Sequence, residues 1–373
     1  MATGRFLPNS PTLMNAGHEG TLSACFVLPV DDTMEGIMKT AADMAMVQKF
    51  GGGTGFGFSG LRPVGDPIKT THGKACGPLR VLKHYSSVSR LVTQGGKRDG
   101  SNMGILRVDH PDIIDFIRVK EDLSQVTNFN LSIAVTDEFV KRLRAHPKSP
   151  HIVTNPRGGE TMPLAKSDGS GDFWTVGEIW DLIIDKAWAN GEPGVVFIDA
   201  INTANPTPNV GEMEATNPCG EQPLLPHEAC NLGSVNLAKF VEFRDSKPFF
   251  NWEAYRKTVR IAARFLDNVV EVNKYPTPEI EKMCRGNRKT GLGVMGFADA
   301  LFLLGVPYDS EEGTAWGEKF MKFLNDESHD MSEELAKDRG SFPYWSGSRW
   351  ETEWKRPMRN ACTTTVAPTG TIS

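Results

Sequence analysis

Apolar side chains at Trp252, Tyr255, Val259, Ala262, Leu266 and Val269 recur every three or four residues, which puts them on one stripe of a helix over 251–273. That stripe is core rather than a cofactor box. Asp31, Asp32 and Thr33 offer N-caps for a second helix over 34–49, ended by Gly51, Gly52 and Gly53. Weaker patterns predict helices over 78–93, 111–120, 136–145, 175–190, 298–304 and 310–338. Apolar runs of strand length lie at 22–28, 128–135, 195–199 and 291–297, and a β-branched run at 362–366. Residues 6–17 read as loop, and 147–173, rich in Pro, Gly, Ser and Thr, as an excursion from the core. Strands mixed with helices, without strict alternation, predict an α/β or α+β core.

Two glycine-rich stretches interrupt this pattern. Residues 51–58 carry Gly51, Gly52, Gly53, Gly55 and Gly57, a loop in which backbone can come close to a ligand. No Gly-Lys-Ser/Thr follows, so it is not a P-loop. Residues 95–104 form a charged, glycine-bounded loop, open to reading as a solvated turn or a ligand contact.

Composition narrows the function classes. The 373 residues are 39% hydrophobic and 23% charged, with a formal net charge of -5. That balance gives no electrostatic reason to expect nucleic acid as a partner. No apolar run approaches the ~20 residues of a membrane span, and the first residues lack the apolar core of a signal peptide. A cytoplasmic location is the default expectation. The six cysteines are scattered, with no C-x-x-C pair or zinc-site spacing, so neither a disulfide scaffold nor a metal site is expected. Cys76, Cys284 and Cys362 read as buried apolar thiols.

Cys219 and Cys230 leave that reading because of their surroundings. Asn217-Pro218-Cys219-Gly220-Glu221-Gln222 continues through two more prolines to Glu228-Ala229-Cys230-Asn231-Leu232-Gly233-Ser234. If the first half is extended, alternation projects Asn217, Cys219 and Glu221 from one edge. An amide, a thiol and an acid on one face are the parts of a reaction site.

These segments resemble the radical-site region of ribonucleotide reductase catalytic subunits, in the form of the adenosylcobalamin-dependent class II enzymes. Leu7-Pro8-Asn9-Ser10-Pro11-Thr12-Leu13-Met14-Asn15-Ala16-Gly17, Gly51-Gly52-Gly53-Thr54-Gly55, Asn287-Arg288-Lys289-Thr290-Gly291-Leu292-Gly293-Val294-Met295-Gly296 and Ala367-Pro368-Thr369-Gly370-Thr371-Ile372-Ser373 keep the family's order across the chain. The resemblance implies a ten-stranded α/β barrel of two five-stranded halves, with a finger loop carrying the radical cysteine to its centre. Residues 1–373 would then hold the first half and part of the second. The C-terminal part of the barrel and the tail would be missing, and no N-terminal ATP-cone domain would precede it.

The same resemblance assigns roles. Cys219 would carry a thiyl radical that takes the ribose 3′ hydrogen. Glu221 would act as general base and Asn217 would hydrogen-bond the sugar. Cys25 and Cys230 would be the thiol pair that ends as a redox disulfide, restored by an external thiol such as thioredoxin. Ser10, Thr12, Ala24 and Gly53 would line the ribonucleoside di- or triphosphate. Pro368, Thr369, Gly370, Thr371, Ile372 and Ser373 would cradle its phosphates. Asp32, Met34, Arg62 and Lys69 would meet a deoxynucleotide effector at a homodimer interface, with Lys69 standing where an arginine is often found. The 95–104 loop would link effector and substrate sites. Adenosylcobalamin is the implied cofactor. A class I large subunit, needing a separate radical-generating subunit, is the alternative. So is a fragment that binds nucleotide but is inactive without its C-terminal piece.

Overall fold

The computed structural model describes residues 1–68, 72–94 and 98–372. They divide into two compact units, Met1–Cys25 with Pro206–Gly211 and His227–Ser373, and Phe26–Asn205 with Glu212–Pro226.

The second unit is built on strands in the order Cys25–Leu28, Gly53–Gly57, Asn102–Arg107, Phe129–Val135 and Gly194–Phe197, the last four parallel, with Cys25 itself counted in the first unit. Registers such as Gly55↔Met103, Met103↔Asn130 and Val195↔Ile133 fix the last four side by side. Helices Met34–Lys49, Gly77–Ser89 and Val176–Asn190 connect them. Parallel strands covered by helices are buried on both faces. The Phe56 ring accordingly lies 5.2 Å from Tyr85 and 5.9 Å from Phe129.

The helix Met34–Lys49 starts where its cap signal placed it, with the Thr33 hydroxyl accepting from Gly36 N–H at 3.0 Å. Val176–Asn190 carries a full capping box between Thr175 and Glu178. The helix expected over 78–93 ends at Ser89, because that buried hydroxyl is tied to Gln48 at 2.9 Å and to Asn102 at 3.1 Å. Thr93–Gln94 instead pair with Arg98–Asp99. The glycine stretch read as a loop is largely the strand Gly53–Gly57. The excursion at 147–173 holds a small hairpin of Ile152–Thr154 and Thr161–Pro163.

In the first unit, Phe6–Pro8 runs antiparallel to the long strand Glu228–Asn236, which pairs in parallel with Thr290–Met295. The amphipathic helix Trp252–Val272 and the helix Glu311–Arg339 bury this sheet. Val235, Leu237, Tyr255, Val259, Leu266, Phe320 and Leu324 form the resulting core. Residues 362–366 do not make a regular strand. They run beside Thr290–Met295 through one bridge, Leu292↔Thr364, with Leu292 N–H donating to Thr363 O at 2.8 Å. Residues 10–15, read as loop, form the short helix Ser10–Asn15 capped by Asn9. Among the described residues no helix is long and apolar enough to cross a membrane.

Candidate active site

The Cys219 segment is a tight hairpin. Ala215–Thr216 pair antiparallel with Pro223–Leu224, and Asn217 N–H donates to Gln222 O at 3.2 Å. The expectation of an extended segment is therefore corrected. The chain reverses because Gly220 adopts φ +83°, a conformation open to glycine, and its N–H donates to Asn217 O at 3.0 Å. Asn217 and Glu221 still converge, through the turn rather than by alternation. Asn217 Nδ2 donates to Glu221 Oε2 at 2.6 Å, and Asn217 Oδ1 accepts from Gln222 N–H at 3.0 Å. Both ends of the amide are engaged, so its orientation is fixed. Asn217 is buried, and Cys219 is exposed at the tip.

The strands of the second unit seat this hairpin. At Gly55 a Cβ would stand 1.8 Å from the Thr216 carbonyl oxygen, a contact only glycine permits. A Cβ at Gly53 would lie 2.7 Å from the Pro218 ring. On Phe129–Val135, Asn130 Nδ2 donates to Pro218 O at 2.7 Å, one residue before Cys219. The close-approach reading of residues 51–58 thus applies to the protein's own backbone.

Cys25 and Cys230 come together in the first unit. Ala24 N–H donates to Cys230 O at 3.4 Å, and both cysteines are buried thiols. Burial pushes the Cys230 thiol well above its ordinary pKa. Charge on Cys25 and Cys362 pushes the same way, Lys289 opposes, and Glu228 adds to the rise. A thiol held protonated in this way is a proton donor rather than a standing nucleophile. Of the cysteines read as buried, Cys284 is buried, whereas Cys362 is partly exposed and Cys76 exposed, which corrects the expectation for the last two.

The family model described as ribonucleotide reductase, barrel domain, matches residues 23–373. The chain belongs to the ribonucleotide reductase family. A vitamin B12-dependent ribonucleoside-diphosphate reductase of Thermoplasma acidophilum is 51% identical over 376 residues, covering 100% of this chain and 47% of that protein. One from Mycobacterium tuberculosis is 46% identical over 373 residues, covering 99% of this chain and 51% of its own length. The chain spans about half the length of these curated relatives. In fold it is similar to the class Id ribonucleotide reductase alpha subunit of Actinobacillus ureae, with a TM-score of 0.79 at 23% identity, covering 100% of this chain and 64% of that one. The expected α/β fold of the reductase barrel domain is borne out.

The other positions that the reductase resemblance singled out fall into two groups. In the first unit, Ser10 Oγ and Thr371 Oγ1 are 2.7 Å apart, so the Ser10 helix and the terminal loop meet. That loop is a turn in which Ile372 N–H donates to Thr369 O at 3.1 Å, with Pro368, Gly370 and Thr371 exposed. Thr12 is buried, its hydroxyl lying 2.5 Å from Asn9 Oδ1 and 2.9 Å from Leu22 O. In the second unit, Arg62 Nε donates to Asp32 Oδ2 at 2.6 Å and its backbone N–H to Asp32 Oδ1 at 3.3 Å. Met34, the first residue of its helix, is exposed. Lys69, Ser373 and residues 95–97 lie outside the described residues.

Two features were not singled out from sequence. One is Asn130, whose strand position gives no sign of a carbonyl above it. The other is the buried pair Lys289–Glu228 beside Cys230, with Nζ and Oε2 2.7 Å apart. A lysine and an arginine opening an apolar strand, Arg288-Lys289-Thr290-Gly291-Leu292, were the available signal.

Proposed function

We propose that residues 1–373 carry the radical cysteine and the reducing thiol pair of a vitamin B12-dependent ribonucleoside-diphosphate reductase. The reading is supported by the relatives' names and identities. The observation that carries it is the 2.6 Å bond from Asn217 to Glu221, formed around a turn whose exposed tip is Cys219.

In this reading Cys219, as a thiyl radical, takes the 3′ hydrogen of the ribose. Glu221, oriented by Asn217, accepts the 3′-hydroxyl proton. The 2′-hydroxyl leaves as water with a proton from the Cys25–Cys230 dithiol. That dithiol gives up two electrons and ends as a disulfide. The balance is ribonucleotide plus dithiol to deoxyribonucleotide, disulfide and water. An external dithiol such as thioredoxin restores the pair. Adenosylcobalamin, when bound, supplies the initiating radical, and an exposed Cys219 sulfur fits a group that must reach it. Ser10 and the 368–373 loop would hold the substrate's phosphates. Asp32, Met34, Arg62 and Lys69 would meet a deoxynucleotide effector in a homodimer. A cytoplasmic setting, in which thiols stay reduced, belongs to the same proposal.

The test is made on the protein extended to its relatives' length. Turnover with adenosylcobalamin and no second subunit is expected. Cys219→Ser should abolish that turnover and leave nucleotide binding in place. A Cys219→Ser protein that still reduces nucleotide would overturn the radical assignment. Turnover only with a separate radical-generating subunit would overturn the cofactor.

A further inference from the structure

On the strand Glu228–Asn236, Glu228 and Cys230 sit two residues apart and so face the same way. The register Asn231↔Thr290 sets Lys289 level with Cys230, one residue back on each strand. Lys289 Nζ donates to Glu228 Oε2 at 2.7 Å, and Asn287 Nδ2 donates to Glu228 Oε1 at 2.7 Å. All three side chains are buried, Glu228 at 0% and Lys289 at 2% exposure. Among the described residues, Cys25, Cys362, Lys289 and Glu228 lie close enough to Cys230 to act on its charge. Cys284, on the helix Pro278–Asn287, has its Sγ 3.9 Å from Ala229 O, the residue between Glu228 and Cys230.

A buried ion pair is poor evidence of stabilisation, since apolar residues of the same volume often serve as well. Its place beside a redox thiol gives it another use. We propose that Lys289, held by Glu228 and Asn287, is the positioning residue that governs the charge and proton of Cys230 when the Cys25–Cys230 disulfide is returned to the dithiol. The inference rests on the dithiol reading above.

A thiolate of an external dithiol attacks the sulfur of Cys25, the less buried of the two. The new bond is a mixed disulfide at Cys25. The Cys25–Cys230 bond breaks, and its electron pair leaves on Cys230 as a thiolate. The Lys289 ammonium, level with Cys230 on the neighbouring chain segment, stabilises that anion as it forms, and Cys230 then takes up the proton that the attacking thiol released to solvent. The second thiol of the reductant then displaces Cys25, which takes up a proton, and the reductant departs as its own disulfide. The protein pair has gained two electrons and two protons. Burial above all, with Glu228 offsetting part of the ammonium's pull, keeps the resting Cys230 thiol protonated, as its role towards a leaving hydroxyl requires.

The test uses the purified 1–373 chain, oxidised with diamide and mapped by mass spectrometry for the Cys25–Cys230 disulfide. Its reduction by dithiothreitol at pH 7 is then followed by alkylation and mass spectrometry. Lys289→Met should slow reduction by about tenfold, because the leaving thiolate loses its neighbouring cation. Lys289→Arg, which keeps the charge, should stay within about threefold of the parent rate. A merely structural role would not separate these two variants. If Lys289→Met fails to fold, Glu228→Gln/Lys289→Met removes both charges together and should show the same slowing. A folded variant without the lysine that is reduced at the parent rate overturns the inference. Failure of the parent chain to form any Cys25–Cys230 disulfide overturns the dithiol reading itself, and the role of Lys289 with it.

Discussion

Asn217 donates a 2.6 Å hydrogen bond to Glu221 across a turn of which Cys219 is the exposed tip. The amide is locked from its other end by Gln222 N–H, so the carboxylate is oriented by a group that cannot swing away without breaking the hairpin. One residue thus serves both the fold of the finger and the aim of its acid.

Glu221→Gln keeps the volume of the side chain and removes the proposed base. In the extended protein it should lower turnover by about 10²–10⁴-fold, the range of a lost general base, while nucleotide affinity changes little. Steady-state turnover beside equilibrium nucleotide binding checks this. A drop in affinity matching the drop in turnover would make Glu221 a binding group instead.

Gly55→Ala is expected to be severe for a purely steric reason. The new Cβ would meet the Thr216 carbonyl oxygen at 1.8 Å, backbone against side chain, with no flexible end to give way. Overpacking of this kind costs about 3 kcal/mol or more. At Gly60 nothing lies within 4 Å of a Cβ, and alanine there should cost under about 0.5 kcal/mol. Urea unfolding of the two variants of the 1–373 chain compares them directly.

Much of the helical scaffold was legible because its signals are local. Thr33 caps Met34–Lys49, and the Trp252-to-Val269 stripe marks Trp252–Val272. The strand Glu228–Asn236 was not legible. It is buried on nearly every residue, so it shows no alternation, and the side-chain Nδ2 of its polar Asn231 donates to a partner distant in sequence, Leu266 O at 2.8 Å. The convergence of Asn217 and Glu221 was foreseen for the wrong reason, because a positive φ at Gly220 replaces the assumed extension. The Lys289–Glu228 pair joins residues 61 apart in sequence, a separation that no local pattern can bridge.

Acid should weaken the first unit through His329. Burial, then the Arg356 charge, push this imidazole down to about 4 from an ordinary value near 6.5, against the opposing pull of Asp326 and Asp330. The folded chain therefore holds His329 neutral, whereas the unfolded chain binds a proton below about pH 6.5. Its contribution is fully present above that pH and is lost as pH falls towards 4. His329→Phe retains an edge-on ring against Trp350, which the imidazole meets at 5.2 Å, and has no proton to gain. Between pH 7 and 4.5 the variant should lose about 2 kcal/mol less stability than the parent in urea titrations. Parallel losses in both chains would remove His329 as the cause.

Asn130 offers the most direct probe of how firmly the finger must be held. Its Nδ2 donates to Pro218 O at 2.7 Å from the strand Phe129–Val135, and that carbonyl immediately precedes Cys219. Asn130→Ala removes one hydrogen bond at a partly buried site, so the cost in global stability should be about 1 kcal/mol. The effect on turnover should be larger than that figure implies. Displacing a reacting atom by about 1 Å can cost on the order of 10²-fold. Asn130→Asp tests the same contact with opposite chemistry, since a carboxylate facing a carbonyl repels it. The expected order of turnover is parent, then Asn130→Ala, then Asn130→Asp, with nucleotide binding nearly constant through the series. Equal turnover in all three would mean that the glycine-lined strands alone hold Cys219 in place.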